Sequence, residues 1–459
     1  MGRVRVLAMD HHFEQDLRAL AAHPTLDVRW FPYQRLRRPA LRIMGSAAAE
    51  GLPAYKRSDL EPGRRRFAAW LVNEVRRLYL ERAFDVLVIP SDTFFYVRSL
   101  PEAAHELGLP LVVVQKETTI SADTMETHSR AVGDAAPFIA DFMTVCSERH
   151  RSFWLRAGTE PDRVEVTGQP RFDIYAARRP PSPQSTTRIL FLAYELDAYV
   201  PGVGQGMGLR TWKPLRDETE RVLFDAVRCG GSDLVVKYHP QQNYRVETRD
   251  IARRAGDIWN QGLVVAAVDA DTRELIVASD TVIGFQTTAL YEAVAAGKRV
   301  VYAAWGDEYE RVRDGLIPFH RAPTGCLRHA ASPVELSALL AEIPEPREAE
   351  CVAWYEEALG PVDGHATERV ASCLARVVAE WPVSQERKAL ERHRRRFAMG
   401  LLARSVAAEA VWTAAGPVAT ISGEQTRVTR RRKWAAERRS LATAALRGRE
   451  PADVSRDEG

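Results

Sequence analysis

The sequence predicts an α/β protein with two Rossmann-like domains, each built on a parallel β-sheet, facing each other across a cleft. Two series of apolar, β-branched runs alternate with helix-like segments, the first within residues 1–177 and the second within residues 188–381. Buried parallel strands read as continuous apolar runs and need long connections, usually helical. The proline-rich stretch 178–187 separates the two series and predicts an interdomain linker.

Each predicted strand is one of these short apolar runs. The runs of the first half are 4–8, 26–31, 86–89, 111–114, 142–146 and 164–167, and those of the second half are 188–193, 233–238, 263–268, 280–283 and 299–303. In such sheets, ligands bind outside the carboxyl ends of the strands. We therefore expect the functional residues in the loops that follow these runs.

Composition indicates a globular protein, and 459 residues suffice for two or three domains. A hydrophobic fraction of 46% accompanies 27% charged residues, and no run of about 18 uncharged apolar residues predicts a membrane helix. The first ten residues lead directly into a strand pattern rather than a signal peptide, so we expect a cytoplasmic protein. The five cysteines are widely spaced without a CxxC pair, which favours reduced thiols over disulfides or a zinc site.

The net charge of +3 is unevenly distributed. Residues 382–459 contain 17 Lys plus Arg against 9 Asp plus Glu, a net charge of +8, which leaves −5 for residues 1–381. This basic C-terminal extension is predicted to be helical or disordered. It is either a solvated extension, an attachment to an anionic membrane surface, or a nucleic-acid-binding segment. The acidic remainder carries no nucleic-acid motif, so we expect no nucleic-acid partner.

The segment 280–304 predicts a strand, a hydroxyl-rich loop, a helix and a second strand. Gly284 would let the backbone approach a ligand, Thr287 and Thr288 would supply hydroxyls and an N-cap, and the first amides of a helix beginning near Ala289 attract anions. Glu292 lies one turn inside that helix, where it could accept hydrogen bonds from a sugar or ribose hydroxyl. An ordinary strand–loop–helix with a threonine cap is the alternative.

Lys237 and His239 end the apolar run 233–238 and should point to the same side, because side chains alternate along a strand. Two cationic groups entering a cleft together could neutralise a diphosphate, the leaving group of an activated sugar or alcohol. The alternative is a hydrogen-bonded loop histidine followed by a proline that ends the strand. The loop containing Gln286 and the two threonines would open on the same sheet edge.

Two other patterns are discounted. Asp269 and Asp271 spell the DxD of metal-dependent glycosyltransferases, but Asp271 with Glu274 before an apolar helix favours a capping box, so we expect no obligate metal. The alternating glycines of 202–208 miss the dinucleotide spacing and favour a cleft loop instead, with Trp212 and Lys213 as ligand contacts.

Four short motifs, at 166–173, 237–240, 284–298 and 363–370, resemble those of bacterial surface-carbohydrate biosynthesis proteins of the GT-B glycosyltransferase class. The layout is also similar to that of CDP-glycerol glycerophosphotransferases and non-hydrolysing UDP-N-acetylglucosamine 2-epimerases. The resemblance spans residues 1–381. It implies a GT-B fold and transfer of a sugar from a nucleotide-activated donor to a polysaccharide or glycolipid acceptor, with no other cofactor.

In that class the C-terminal half binds the donor nucleotide. The resemblance then places Lys237 and His239 near the donor phosphates, with His239 also a catalytic candidate. The further donor-binding residues that it implies are Gly284, Gln286, Thr287, Thr288 and Glu292.

The N-terminal half of that class binds the acceptor and supplies the catalytic base. Glu117, which follows the run 111–114, is the first candidate for the base, and His11 is the second. Asp10, His11 and Lys116 are the implied acceptor-binding residues. Each of these could instead be a polar strand-end residue that caps a helix or stays solvated.

The loop 285–288 departs from the relatives. It lacks the Ser-Gly-Gly phosphate loop of the 2-epimerases, which disfavours epimerisation, and it only loosely matches the Ser-Ser pair and aspartate of the glycerophosphotransferases. Polyol-phosphate transfer is therefore the alternative activity, and a non-catalytic scaffold for polysaccharide assembly is the alternative outside enzymes. Peripheral attachment to the inner face of the membrane would suit either.

Overall fold

Two six-stranded parallel sheets organise the protein. The computed structural model describes residues 2–50, 56–116, 125–176, 186–196, 210–239, 242–341, 349–399 and 403. The predicted linker 178–187 and the glycine-rich stretch 202–208 lie almost entirely outside these ranges. The strands of the first sheet end at residue 166 and those of the second begin at 187, on either side of that linker. The exact domain boundaries remain a prediction.

The first sheet has the strand order β2-β1-β3-β4-β5-β6. Its central strands β3, β4 and β5 are four-residue apolar segments that are buried throughout, as the run pattern predicts for parallel strands. The strands are β1 (Val4–Asp10), β2 (Leu26–Pro32), β3 (Val86–Ile89), β4 (Leu111–Val114), β5 (Phe142–Val145) and β6 (Val164–Val166). The helices of this half are α1 (Glu14–Ala22), α2 (Gln34–Met44), α3 (Glu61–Glu81), α4 (Leu100–His105), α5 (Met125–Ala135) and α6 (Glu148–Arg156).

The second sheet has the order β12-β11-β10-β7-β8-β9. Counted from its own first strand this is 3-2-1-4-5-6, the order of dinucleotide-binding folds, and its topological switch point lies between β7 and β10. The strands are β7 (Thr187–Ala193), β8 (Ser232–Tyr238), β9 (Val264–Ala267), β10 (Thr281–Gly284), β11 (Arg299–Ala303) and β12 (Arg328–Ala330). The helices are α7 (Lys213–Arg228), α8 (Tyr244–Ala255), α9 (Asp257–Asn260), α10 (Thr272–Ala278), α11 (Ala289–Ala295), α12 (Asp307–Val312), α13 (Pro333–Ala341) and α14 (Ala349–Leu359).

The chain returns to the first sheet through α15 (Ala366–Glu380). Val370, Leu374 and Val377 of α15 lie in the same buried apolar cluster as Val6 and Val86 of the first sheet. Two of the motifs behind the resemblance meet here, because both carboxylate oxygens of Asp173 accept hydrogen bonds from the first amides of α15, at 2.9 and 2.8 Å. This contact therefore holds the start of α15 against the first half.

The start of the basic extension is a helix, α16 (385–399), docked on the first half. Arg387 of this helix forms an ion pair of 3.0 Å with Asp85, and Glu391 accepts a hydrogen bond from the Tyr79 hydroxyl. Gly108 permits the close approach, since a Cβ there would lie 2.3 Å from the Ser384 hydroxyl. Asp85 and Gly108 precede β3 and β4, so α16 packs near the amino ends of these strands.

The GT-B-like α/β architecture predicted from the sequence is confirmed by the two Rossmann-like sheets. The cysteine prediction was wrong, because Cys326 and Cys351 form a disulfide with a Cα–Cα distance of 5.1 Å. Cys326 precedes β12 and Cys351 lies in α14, so the tertiary fold brings together two residues 25 positions apart in the sequence. Within the part of the chain that the structure describes, no helix is long and apolar enough to cross a membrane.

Candidate active-site cleft

A cleft of about 560 Å³ opens between the carboxyl ends of the two sheets. Strand ends at the switch points of both sheets contribute to it, β1 from the first half and β7 with the loop after β10 from the second. Six of the residues predicted from the sequence line this cleft, namely Asp10, Lys116, Lys237, His239, Thr287 and Glu292. Ligands of open α/β sheets bind at this position.

Lys237 and His239 face the cleft from the end of β8, as the alternation of side chains predicted. The Lys237 ammonium group donates a 2.8 Å hydrogen bond to the Val268 carbonyl. Burial lowers the pKa of Lys237, although Asp269 and Asp271 act in the opposite direction. A bound anion would complete the coordination of this partly desolvated ammonium.

A hydrogen bond from its backbone amide fixes the position of His239. Its amide donates a 2.6 Å hydrogen bond to the Gln242 side chain, whose amide nitrogen donates in turn to the Tyr194 carbonyl at 3.0 Å. Burial lowers the pKa of the His239 imidazole, and the neighbouring Lys237 lowers it further while Glu195 raises it. The imidazole is therefore mainly neutral near pH 7.

The loop after β10 supplies fewer residues to the cleft lining than the sequence predicted. Helix α11 begins at Ala289 as expected, and Thr287 lines the cleft. Thr287 also accepts a 3.3 Å hydrogen bond from the Ala289 amide, so this first helical amide is not available to an anion. Thr288 occupies the N-cap position without a capping side-chain bond and does not line the cleft.

Gln286 and Gly284 have structural roles. The Gln286 side chain is only 2% exposed, and its amide bonds the Tyr302 hydroxyl and both the amide and carbonyl of Ile317. A Cβ at Gly284 would lie 3.2 Å from the side chains of Leu290 and Thr287, so this glycine permits packing inside the domain. Neither residue lines the cleft. Their roles in donor binding stay predictions.

Glu292 reaches the cleft from the first turn of α11. One of its carboxylate oxygens accepts a 2.6 Å hydrogen bond from the hydroxyl of Tyr175, which lies in the 3-10 turn Pro170–Tyr175 of the other half. Burial raises the pKa of Glu292, while the nearby Arg171 acts to lower it. The carboxyl group thus contacts both the other half of the protein and the cleft.

His12, and not His11, faces the cleft from the end of β1. His12 has a φ of +54°, an uncommon conformation that turns the chain after Asp10. The His11 ring instead stacks on Tyr33 at 4.1 Å and its Nδ1 bonds the Tyr96 hydroxyl at 2.6 Å. The structure therefore does not bring the His11 ring into the cleft, and its roles as a base and as an acceptor-binding residue stay predictions.

The remaining predicted residues of the first half follow β1 and β4. Asp10 lines the cleft, and its carboxylate accepts a 3.3 Å hydrogen bond from the Phe13 amide. Lys116 lines the cleft beside the end of β4. Glu117, the first candidate for the base, lies outside the described residues and stays a prediction.

Two arginines in the cleft were not predicted. Arg171 forms a 3.0 Å ion pair with the buried Asp16 and donates to the Lys116 carbonyl at 3.0 Å. Arg273 of the second half pairs with Asp271 at 2.6 Å and donates to the Arg171 carbonyl at 3.0 Å. The sequence signal for Arg171 was its place in the motif 166–173, whereas Arg273 carries no recognisable signal.

In the DxD-like sequence, Asp271 caps a helix. Asp271 is the N-cap of α10, where it accepts a 2.9 Å hydrogen bond from the Arg273 amide, and it also accepts from the Gln15 side chain of the first half at 3.0 Å. No group of three or more His, Cys, Asp or Glu residues within the described ranges is arranged to hold a metal ion. Trp212, expected in the cleft, is only 1% exposed and packs on Phe285 in the core.

Comparison with known proteins gives structural likeness only. No protein-family model matches the chain, and no curated protein matches it. Solved structures that match are a UDP-GlcNAc 2-epimerase from Methanocaldococcus jannaschii (11% identity, 82% of this chain and 99% of that chain, TM-score 0.46), S. aureus MnaA with UDP (14%, 84% and 98%, 0.47) and the wall teichoic acid polymerase TagF (11%, 82% and 90%, 0.47). The fold assignment rests on the strand orders given above.

Proposed function

We propose that this chain is a glycosyltransferase that moves a sugar from a nucleotide-activated donor to a saccharide or lipid-linked acceptor. The observation that carries the proposal is the composition of the cleft. Lys237, His239 and Glu292 from one half meet Asp10 and Lys116 from the other around a single opening of about 560 Å³. That volume lies within the range of small-molecule sites.

The second half is suited to the donor. Lys237 and His239 lie side by side at the end of β8, where they would neutralise the diphosphate as the bond to the anomeric carbon breaks. Glu292, oriented by Tyr175, would accept hydrogen bonds from ribose or sugar hydroxyls. The departing nucleoside diphosphate carries more charge than the bound donor, so these cations act most strongly in the transition state.

The first half is suited to the acceptor. An acceptor hydroxyl attacks the anomeric carbon and its proton passes to a carboxylate, for which Asp10 in the cleft and Glu117 after β4 are the two candidates. Asp10→Asn and Glu117→Gln keep the shape of each side chain and remove the base. The variant whose kcat falls by about 10²-fold or more with an unchanged donor Kd identifies it.

Product analysis separates the proposed transfer from its alternatives. The purified protein is incubated with a sugar nucleotide or with CDP-glycerol, each with and without a saccharide acceptor, and the products are followed by proton and phosphorus NMR. A transferase releases nucleoside diphosphate when acceptor is present and forms a new glycosidic bond. An epimerase inverts the sugar at C2 without acceptor, a polyol-phosphate transferase releases CMP from CDP-glycerol, and a scaffold changes nothing. Any of these last three outcomes contradicts the proposal.

A further inference from the structure

Helix α16 has one face fixed to the protein. Leu390 and Ala398 are buried, Arg387 pairs with Asp85 at 3.0 Å, and Glu391 accepts from the Tyr79 hydroxyl. These contacts fix the orientation of the helix. Its outer face is therefore set before any partner binds, which removes an ordering penalty from binding.

The outer face carries a row of cations. Lys388, Arg392, Arg395 and Arg396 are all exposed, and their spacing of four, seven and eight residues places them on one side of the helix. None of these four has an ion-pair partner among the residues that the structure describes. We call these four residues the cationic row; it spans about 12 Å at 1.5 Å per residue.

An exposed apolar side chain lies at the end of this row. Met399 continues the row by a further turn and is 59% exposed, whereas Phe397, 39% exposed, lies about 160° away around the helix. Cations next to exposed apolar side chains on one helix are typical of an interfacial membrane helix, in which phosphates bind the cations and the apolar groups enter the headgroup region.

We propose that the cationic row docks this protein on the surface of an anionic lipid bilayer. A bilayer contacts a single face, so the net charge of −5 on residues 1–381 does not oppose docking as it would oppose a nucleic acid wrapping the protein. Because α16 packs near the amino ends of β3 and β4, docking leaves the cleft at the opposite sheet edge open. This inference is independent of the proposed activity.

The test is binding of the full chain to vesicles of phosphatidylcholine with 30% phosphatidylglycerol, measured by co-sedimentation. One variant replaces all four residues of the row by Gln. The matched control replaces four exposed arginines of the second half, Arg221, Arg253, Arg311 and Arg321, by Gln, so that the net charge changes equally. Thermal melts check that both variants are folded.

We expect wild type and control to bind anionic but not neutral vesicles, and the row variant to bind at least about tenfold more weakly. Binding should weaken at high salt and should survive Lys237→Gln. Equal loss in row variant and control, no loss in the row variant, or absence of vesicle binding would overturn the proposal. So would tighter binding of wild type to duplex DNA or to soluble polyphosphate than to anionic vesicles.

A second measurement reports on the apolar end of the row. Met399→Cys in a Cys229→Ser background is labelled with an environment-sensitive dye, since Cys229 is the exposed free thiol among the described residues. A blue shift of the emission on adding anionic vesicles is expected. An unchanged spectrum while the protein is bound to vesicles would contradict contact of this helix end with the bilayer.

Discussion

Tyr175 donates a 2.6 Å hydrogen bond to Glu292 and so links the last segment of the first half to the helix that follows the 286–288 loop. Tyr175 is 1% exposed, and burial raises the pKa of both its phenol and the Glu292 carboxyl. The bond orients the Glu292 side chain at the edge of the cleft. It also ties the shape of the cleft to the packing between the two halves.

Tyr175→Phe removes this bond while keeping the ring. Leaving a buried acceptor without its donor costs about 1–3 kcal/mol, so the free energy of unfolding should fall by about that amount, and donor affinity should fall several-fold as Glu292 loses its orientation. Urea unfolding and calorimetric titration measure the two effects. Tyr194→Phe is the matched control for stability, because the buried Tyr194 hydroxyl has no hydrogen-bond partner in the described chain. Equal destabilisation by both substitutions would contradict a special role for Tyr175.

The crossing into α15 depends on Gly360. This residue has a φ of +77°, and a Cβ on it would lie 1.6 Å from the Cys146 carbonyl oxygen. Gly360→Ala should therefore cost about 3 kcal/mol or more, through overpacking added to backbone strain. Gly262 has a similar φ of +74° with nothing within 4 Å, so Gly262→Ala should cost only about 1–2 kcal/mol. Chemical denaturation of both variants checks the difference, and similar losses would contradict the close packing at Gly360.

His239 should make donor binding depend on pH. Its pKa is lowered by burial in the free protein and would be raised by an adjacent diphosphate, so binding takes up a proton. The donor Kd should therefore decrease as the pH falls from 8 towards 6. Calorimetric titration in buffers of different ionisation enthalpy measures the proton directly. His239→Gln should weaken binding and remove most of the proton uptake; an unchanged uptake in this variant would place the titrating group elsewhere.

His150 should make stability depend on pH. Burial lowers its pKa to about 3, with Arg149 acting in the same direction, and its Nδ1 lies 3.0 Å from the Cys146 sulfur and 3.1 Å from the Ser147 hydroxyl. In the unfolded chain the pKa is about 6.5, so the unfolded state binds more protons below that pH. The stability contribution of the neutral imidazole is complete above about pH 6.5 and declines as the pH falls towards 3, by up to about 1.4 kcal/mol per pH unit.

His150→Gln tests this slope, because an amide side chain does not titrate. The free energies of unfolding of the variant and the wild type, measured between pH 7 and pH 5, should converge as the pH falls. Parallel curves would show that His150 is not the residue that titrates.

The sheets could be predicted from sequence because their strands are buried on both faces. β3 and β4 are uninterrupted apolar segments, which predict buried strands without further information, although they do not define the register. β12 was missed because its three residues, Arg328–Ala330, are mostly polar at the sheet edge. The disulfide was missed for a related reason, since contacts between distant segments leave no local pattern in the sequence.

The residues of the candidate site could be predicted where a local rule of the sequence places them. Lys237 and His239 follow from the alternation of side chains along β8, a local rule. His12 rather than His11 faces the cleft because His12 has a positive φ. A positive φ can be predicted from sequence with any strength only at glycine. The inward direction of Gln286 depends on Ile317, 31 residues away. Arg171 enters the cleft through its ion pair with Asp16, a contact between distant segments.

The central claim is that the cleft binds a nucleotide-activated sugar through Lys237. The most direct test is calorimetric titration of UDP-, GDP-, CMP-, CDP- and dTDP-linked donors into wild type, Lys237→Gln and Lys298→Gln. Lys298 is the matched control, because its ammonium also donates to a carbonyl, that of Val277 at 2.7 Å, and burial lowers its pKa as well, but it lies at the opposite edge of the same sheet. The account predicts binding of one donor class, a loss of about 10- to 100-fold in Lys237→Gln and no loss in Lys298→Gln. Equal affinity in all three proteins, or no binding of any sugar nucleotide by the folded wild type, would contradict it.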